Sequence, residues 1–440
     1  MSLEFVAAVR VSAALRKSAT LLLNSGALAV GTVVTAALGF VYWWLAARQF
    51  PPEAIGRAYA LLSLMSLVGL LGEAGLGTLL MGETARHPGS GPGLVGAAAS
   101  VAVALAIGLA SLYVFMAHLI VPMRLISDWV EGAAFIVGCG LTTFNALVLQ
   151  AFISNLRGGD RMMQQVLFSV LKLVLIAAIA AAGCSSDEAV LLTWVAGLLV
   201  SWIGFDLLTR GRARQLIGSP DFRLLRALRH RVFDHYALDV TMLAPGVIMP
   251  YLVLVLLSPT TNAAFASVWM LVSMAALVPA VAATALFPVV RANPTQSGHD
   301  ILVSLTVSLL FSLICAAFIL VCSREILAVF NPIYPKIAGS SLRFLGLSLL
   351  GSTLKFHGAA LARLGDRMRQ AARWFALGGS LELCLAVAGA KFAGLEGLVL
   401  GWTLGVSVEG ACVALVLGFA TKRNSVLDHV REPAPAALRM

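Results

Sequence analysis

Residues 20–46 read TLLLNSGALAVGTVVTAALGFVYWWLA, and no charged side chain interrupts them. At 1.5 Å per residue, a helix over this stretch outruns a hydrocarbon core of roughly 30 Å. Arg10, Arg16 and Lys17 precede it and give it the look of a secretory signal. It is too long for one and runs on into further apolar segments, so it is expected to remain as a first membrane span. Segments of the same kind recur to the end of the chain, at 57–82, 94–117, 130–156, 162–183, 188–208, 234–257, 262–290, 301–322, 340–362, 369–390 and 396–420. Helix breakers separate them: Pro51, Pro52, Pro88, Pro122, Gly158, Gly159, Pro220, Pro259, Pro294, Pro332 and Pro335. The expected fold class is all-α, a polytopic membrane protein of about twelve spans.

Composition supports this. Apolar residues make up 60% of the chain and charged ones 12%, against about 25% charged in a soluble domain; no water-soluble core could hide so much apolar surface. The formal net charge of +10 does not indicate nucleic acid, because the basic residues sit in short segments between spans. A cytoplasmic N-terminus places most of them inside, above all Arg210, Arg212, Arg214, Arg223, Arg226, Arg229 and Arg231, then Arg363, Arg367, Arg369 and Arg373. Both termini are then cytoplasmic, and the outer segments are too short for a catalytic domain. The six cysteines have no CxxC or His-rich spacing, and no Walker or HExxH pattern occurs, so neither a metal site nor a cofactor is expected. Arginine in excess over lysine, with abundant alanine, points by association to a GC-rich bacterium and hence to its cytoplasmic membrane.

The chain also repeats itself. Arg157-Gly158-Gly159-Asp160-Arg161-Met162-Met163-Gln164 returns as Arg363-Leu364-Gly365-Asp366-Arg367-Met368-Arg369-Gln370, 206 positions later. The same shift carries Ala58-Tyr59-Ala60 onto Ala264-Phe265-Ala266. Two six-span halves related by a pseudo-two-fold axis along the membrane normal follow, with a substrate path at their junction. The expected division is 1–208, a basic linker 209–233, 234–421 and a tail 422–440. Leu224, Leu225 and Leu228 alternate with Arg223, Arg226 and Arg229, which suggests an amphipathic linker helix on the cytoplasmic leaflet. In the repeated motif, Gly would supply the turn and Asp would cap the next helix. A sharper reading makes Asp160, Arg161, Asp366 and Arg367 a cytoplasmic gate closed by ion pairs between halves.

Asn24 through Leu38-Gly39-Phe40, the Ala46-Ala47-Arg48 end of span 1, Pro52-Glu53-Ala54-Ile55-Gly56 and Gly75-Leu76-Gly77-Thr78 carry a family likeness, as do Trp269-Met270-Leu271, Val278-Pro279-Ala280 and Thr284-Ala285-Leu286-Phe287 in span 8. In these stretches and in its span number, the chain resembles the polysaccharide flippase branch of the multidrug/oligosaccharidyl-lipid/polysaccharide exporter superfamily. The resemblance implies two bundles around a central cavity lined mainly by spans 1, 2, 7 and 8. It also implies that a polyprenyl-diphosphate-linked oligosaccharide crosses from the inner to the outer leaflet by alternating access. Its partners would be that glycan substrate, membrane lipids and polysaccharide polymerase machinery.

A charge near the bilayer centre costs at least about 2.5 kcal/mol, so each such residue is a candidate. The most central are Lys172, Glu382 and Glu409, with Glu73, Lys355 and His357 nearer the inner side. Lys172 is open to an ion pair with Glu73 or to a ligand role, and Glu382 and Glu409 could pair with Lys355. A diphosphate needs cations that bind and release. Arg48 and Arg57 at the outer ends of spans 1 and 2 suit that task, or else anchor the loop between them. Asn24 and the hydroxyls of Thr32, Thr35, Thr241 and Ser273 could meet sugar or simply bond neighbouring helices. Tyr42, Trp43 and Trp44 read as an interfacial belt, with sugar stacking as the other use.

Two other functions compete. A cation-coupled multidrug extruder would share the architecture but should carry an acid in span 1, and none lies between Asn24 and Gln49. Glu73 and Asp239 keep that reading open. A membrane enzyme acting on lipid-linked glycan would need a large outer loop or a paired His and Asp, and the seven histidines are scattered.

Overall fold

The computed structural model describes residues 3–84, 91–119, 125–126, 128–184, 186–228, 233–292, 297–339 and 341–422, and these contain helices and no strand. In chain order they are α1 (Leu3–Gln49), α2 (Pro52–Glu73), α3 (Leu76–Glu83), α4 (Gly91–Leu119), α5 (Trp129–Ser154), α6 (Gly158–Ala181) and α7 (Asp187–Leu208). Two short helices follow, α8 (Arg212–Leu216) and α9 (Phe222–Leu228). Then come α10 (Phe233–Leu256), α11 (Pro259–Ala292), α12 (Ser297–Phe330), α13 (Tyr334–Ala338), a 3-10 segment (Ser341–Leu347), α14 (Ser348–Leu364) and α15 (Met368–Lys422).

Ten of these are long and apolar enough to cross a membrane. α15 supplies two crossings, because it reverses at Ala393 and at Gly394, whose φ of 57° suits a residue without a side chain. The 3-10 segment and α14 together supply the twelfth. The expected twelve spans are therefore present, with one departure. Span 2 is not continuous: Ala74 (φ 48°) and Gly75 (φ 73°) break it between α2 and α3.

The helices group into two compact units. Of the described residues, those up to Phe50 and those from Met65 to Phe233 form one, while Pro51–Leu64 and those from Asp234 onward form the other. The division differs from an even cut at the linker. The start of α2 belongs with α11, where Asn262 Nδ2 donates to Gly56 O at 2.7 Å and a Cβ on Gly56 would sit 1.8 Å from Pro259 O. The linker belongs to the first unit. Gly218 N donates to Pro92 O (2.8 Å) and Asp221 N to Gly93 O (3.0 Å), while Ala213 and Leu216 enter a core built on Leu80, Leu94, Phe152 and Phe205. Leu224, Leu225 and Leu228 pack against that core, so the apolar face of the linker is used by protein.

In the second unit, the two arms of α15 lie against each other along glycine. A Cβ on Gly389 would fall 1.9 Å from Gly397 O, and one on Gly401 would fall 2.1 Å from Leu385 O. Such backbone proximity is how membrane helices gain packing energy where lipid offers no hydrophobic drive.

The backbone repeats, but in a different register from the motif. Leu156 (φ 55°) and Asp366 (φ 52°) are the left-handed residues of the turns α5–α6 and α14–α15, and they stand 210 positions apart. Arg157 N donates to Phe152 O (2.8 Å), and 210 positions on Arg367 N donates to Ala362 O (2.9 Å). At the α1–α2 and α10–α11 junctions the shift is 207, from Pro52 to Pro259 at the helix starts. The match at 206 is thus one helical turn out at the second pair of turns. A slip of four residues keeps a side chain on nearly the same helix face, which is why the pattern survives it. Gly159 and Gly365, expected to make the turns, do not carry a positive φ. Asp160 and Asp366 are consequently not structural equivalents.

Candidate functional site

The first unit buries one lysine in a box of rings. Lys172 of α6 is 6% exposed, and its Nζ lies 3.8 Å from the centroid of Trp194, 4.9 Å from Phe168 and 5.2 Å from Tyr42. Tyr42 and Trp43 are buried beside Trp194, with centroids 5.7 and 6.3 Å from its ring. They therefore do not form the interfacial belt expected of them; only Trp44 of the three is well exposed. The Tyr42 hydroxyl is held in place by Thr193 Oγ1 at 3.0 Å. Room for the lysine comes from Gly197 of α7, where a Cβ would lie 3.1 Å from Lys172 Cβ. The ring faces supply negative potential to the ammonium where, among the described residues, no carboxylate pairs with it.

Glu73 is not the partner of Lys172. It sits where α2 breaks, and its Oε1 accepts from Gln150 Nε2 at 2.7 Å. A Cβ on Gly77 would lie 1.9 Å from that same oxygen. The carboxylate thus folds over the first turn of α3, and the glycine leaves it the space.

The second unit buries a different arrangement. Lys355 Nζ of α14 donates to Glu382 Oε1 at 2.6 Å and lies 2.9 Å from Glu409 Oε2, one acid from each arm of α15. This is the pairing read from the sequence. Glu382 is 0% exposed and Glu409 6%. Gly378 and Gly405 open the space: a Cβ on the first would sit 2.2 Å from Glu409 Cδ, and one on the second 2.7 Å from Glu382 Cα. Sequence reasoning missed these glycines, although Gly397, Gly401, Gly405 and Glu409 follow one another at four-residue spacing and so share a helix face.

The remaining candidates are dispersed. Asn24 Oδ1 accepts from Gly158 N and so serves the free first turn of α6. Asp160 accepts from Arg157 Nε (2.7 Å) and pairs with Arg212 Nη1 (2.9 Å), which ties the α6 start to the linker inside one unit. Arg161 Nε donates to Gln165 Oε1 at 3.4 Å. Asp366 and Arg367 are exposed at the α14–α15 turn. Asp239 of α10 accepts from Arg363 Nη2. Arg48 is exposed with its guanidinium 5.6 Å from the Trp44 ring, and Arg57 is half-buried. Arg48 and Arg57 fall in different units. Among the described residues, no group of three His, Cys, Asp or Glu is placed to hold a metal ion.

No protein-family model and no curated protein sequence matches the chain. Solved structures do. An inward-facing multidrug resistance MATE family transporter of the MOP superfamily superposes with a TM-score of 0.66 at 15% identity, covering 90% of this chain and 96% of that one. A MATE transporter in complex with MaL6 gives 0.63 at 14% identity, with 92% and 97% covered. An outward-facing form of a multidrug resistance MATE family transporter gives 0.62 at 14%, with 92% and 96% covered. The chain therefore has the fold of these transporters, about twelve membrane helices in two bundles.

Proposed function

We propose that this chain is a membrane transporter working by alternating access, and not an enzyme. The observation that carries the reading is the likeness, over 90% of the chain, to a transporter of this fold. Because the structures it resembles are multidrug resistance transporters, the same likeness supports export of small amphiphilic compounds as the first cargo class.

A second reading, translocation of a polyprenyl-diphosphate-linked oligosaccharide from the inner to the outer leaflet of a bacterial cytoplasmic membrane, is favoured by charge. No acid lies between Asn24 and Gln49 of α1. A basic residue, Lys172, is buried in that unit. Such a group repels a cationic drug and suits a diphosphate, with Arg48 and Arg57 as further cationic partners. The arginines of the linker and of the α14–α15 turn support a cytoplasmic location for that end of the bundles.

The deciding experiment pairs uptake of a cationic dye into proteoliposomes with complementation of a strain defective in lipid-linked glycan export. Dye accumulation without complementation favours the first reading, and complementation without dye transport the second. A folded protein that moves neither class overturns both.

A further inference from the structure

The buried cluster of Lys355, Glu382 and Glu409 holds two carboxylates against one ammonium, so as fully ionised groups it carries a net negative charge. Its oxygens are not used up. Glu382 Oε2 and Glu409 Oε1 are buried and accept no hydrogen bond. A buried carboxylate oxygen left without a donor is costly, and the cost falls when a proton or cation arrives. Two acids that both approach one nitrogen, at 2.6 and 2.9 Å, also lie close to each other, and like charges at that range do not both stay ionised cheaply.

One of the two acids borders open space. A cavity of about 610 Å³ runs between α14 and the arms of α15, with Glu409 and Gly378 in its wall and Arg367 and Gln370 among the residues lining it. Arg367 and Gln370 belong to the turn that begins α15. Gly378, which faces Glu409, lies eleven residues beyond Arg367, so the carboxyl is about 16 Å from the turn along the helix. Glu382, by contrast, does not line the cavity.

We propose that Lys355, Glu382 and Glu409 form a proton-binding site, loaded through this cavity, in which Glu409 takes up the proton. A hydronium ion gives up its proton, its O–H bond breaking to leave a neutral water, and the proton forms an O–H bond on the Glu409 carboxylate. Lys355 stays an ammonium paired with Glu382, and the cluster becomes neutral. A sodium ion fits the site less well. It would need a shell of oxygens, and Lys355 already occupies the place between the two acids that such a cation would take.

Three other titratable or charged groups on the surrounding elements are engaged elsewhere. Asp239 of α10 accepts from Arg363. His357 of α14 contacts Ser304 Oγ at 3.2 Å and Thr353 O at 2.9 Å. Arg343 lies 4.5 Å from the Phe344 ring. Arg367 and the thiol of Cys412 line the same cavity. The site thus stands on its own geometry, whichever cargo the chain carries.

The test uses the full chain in lipid vesicles in potassium buffer. Infrared difference spectra across a pH titration should show a protonated carboxyl band that grows on acidification and is absent from Glu409→Gln. An unchanged band in a Glu409→Gln protein that elutes and melts like wild type overturns the proposal. Should that variant not fold, carbodiimide labelling of the wild-type protein decides, since the reagent attacks protonated carboxyls in apolar surroundings. An adduct at Glu409 that fades as pH rises supports the site, and no adduct there, or one indifferent to pH, overturns it. Sodium in place of potassium should leave the titration unmoved. A midpoint displaced toward acid pH by sodium would make the occupant a metal cation and overturn the assignment to a proton. None of these readouts measures transport, so their failure is separable from failure of the transporter reading.

Discussion

Lys172 and Glu382 occupy the same place in the two halves. Each lies fourteen residues past the start of its helix, Gly158 for α6 and Met368 for α15, in the register set by the turns. Each is buried, and each lies against a glycine of the next membrane crossing, Gly197 of α7 and Gly405 of the second arm of α15. The backbone has thus kept a hole for one buried charge in both halves, while the sign of the charge and the means of neutralising it have diverged. Trp194, Phe168 and Tyr42 surround Lys172 with ring faces, whereas Glu382 meets the ammonium of Lys355. The difference teaches that the position is a property of the repeat and the charge is a property of the half.

The largest effect that can break this comparison is removal of a cation. Lys355→Met leaves two carboxylates buried without their counter-ion, and loss of one partner of a buried pair costs about 3–5 kcal/mol. A strongly lowered melting temperature in detergent is expected, with partial recovery when Glu382→Gln and Glu409→Gln are added. Lys172→Met should behave differently. It forfeits a desolvated cation–π contact of about 2 kcal/mol, but it also relieves the burial of an ammonium, so the two terms largely offset. Equal destabilisation by both substitutions would mean that Lys172 has an acidic partner after all.

Next in size are the glycines that make the holes. A methyl at Gly405 would lie 2.7 Å from the backbone Cα of Glu382, whereas one at Gly197 would come no nearer than 3.1 Å to Lys172. Overpacking a close seam costs about 1–3 kcal/mol. Gly405→Ala should fall at the upper end of that range and Gly197→Ala at the lower, read as melting temperatures of the two variants side by side. The reverse order would show that α7 is held against α6 more rigidly than the arms of α15 are held together.

How much of this could be read from the residues follows the same divide. The spans were legible because bilayer thickness sets a length that apolar runs must meet. The Lys355 cluster was legible because opposite charges in adjacent spans have few other places to go. The aromatic box was not, because Tyr42, Phe168 and Trp194 are distant in sequence and an aromatic near a span end reads equally well as an interfacial anchor. The break at Ala74 and Gly75 was hidden for a related reason. Alanine is the best of the helix formers, so nothing in its identity announces a residue at φ 48°. The repeat was detected but misregistered, since side-chain similarity on one helix face cannot tell a shift of 206 from one of 210.

The smallest effects test that register directly. If the motif glycine made the turn, Gly159→Ala would strain the backbone and destabilise the protein. In the register of the backbone, Gly159 is an ordinary first-turn residue of α6 with nothing within 4 Å of an added Cβ, so alanine there should stabilise by about 0.5–1 kcal/mol. Leu156 carries the left-handed conformation instead, at a cost of about 1–2 kcal/mol for a side chain with a Cβ. Leu156→Gly should recover most of that, less the roughly 0.5–1 kcal/mol by which glycine loosens the unfolded chain. Asp366→Gly should gain less than Leu156→Gly, because aspartate tolerates the left-handed region better than leucine does. The expected ranking in denaturant or thermal unfolding is therefore gain at Gly159→Ala and Leu156→Gly, and little change at Asp366→Gly. A loss at Gly159→Ala together with a loss at Leu156→Gly would return the turn to the motif glycine and, with it, undo the equivalence of Lys172 and Glu382.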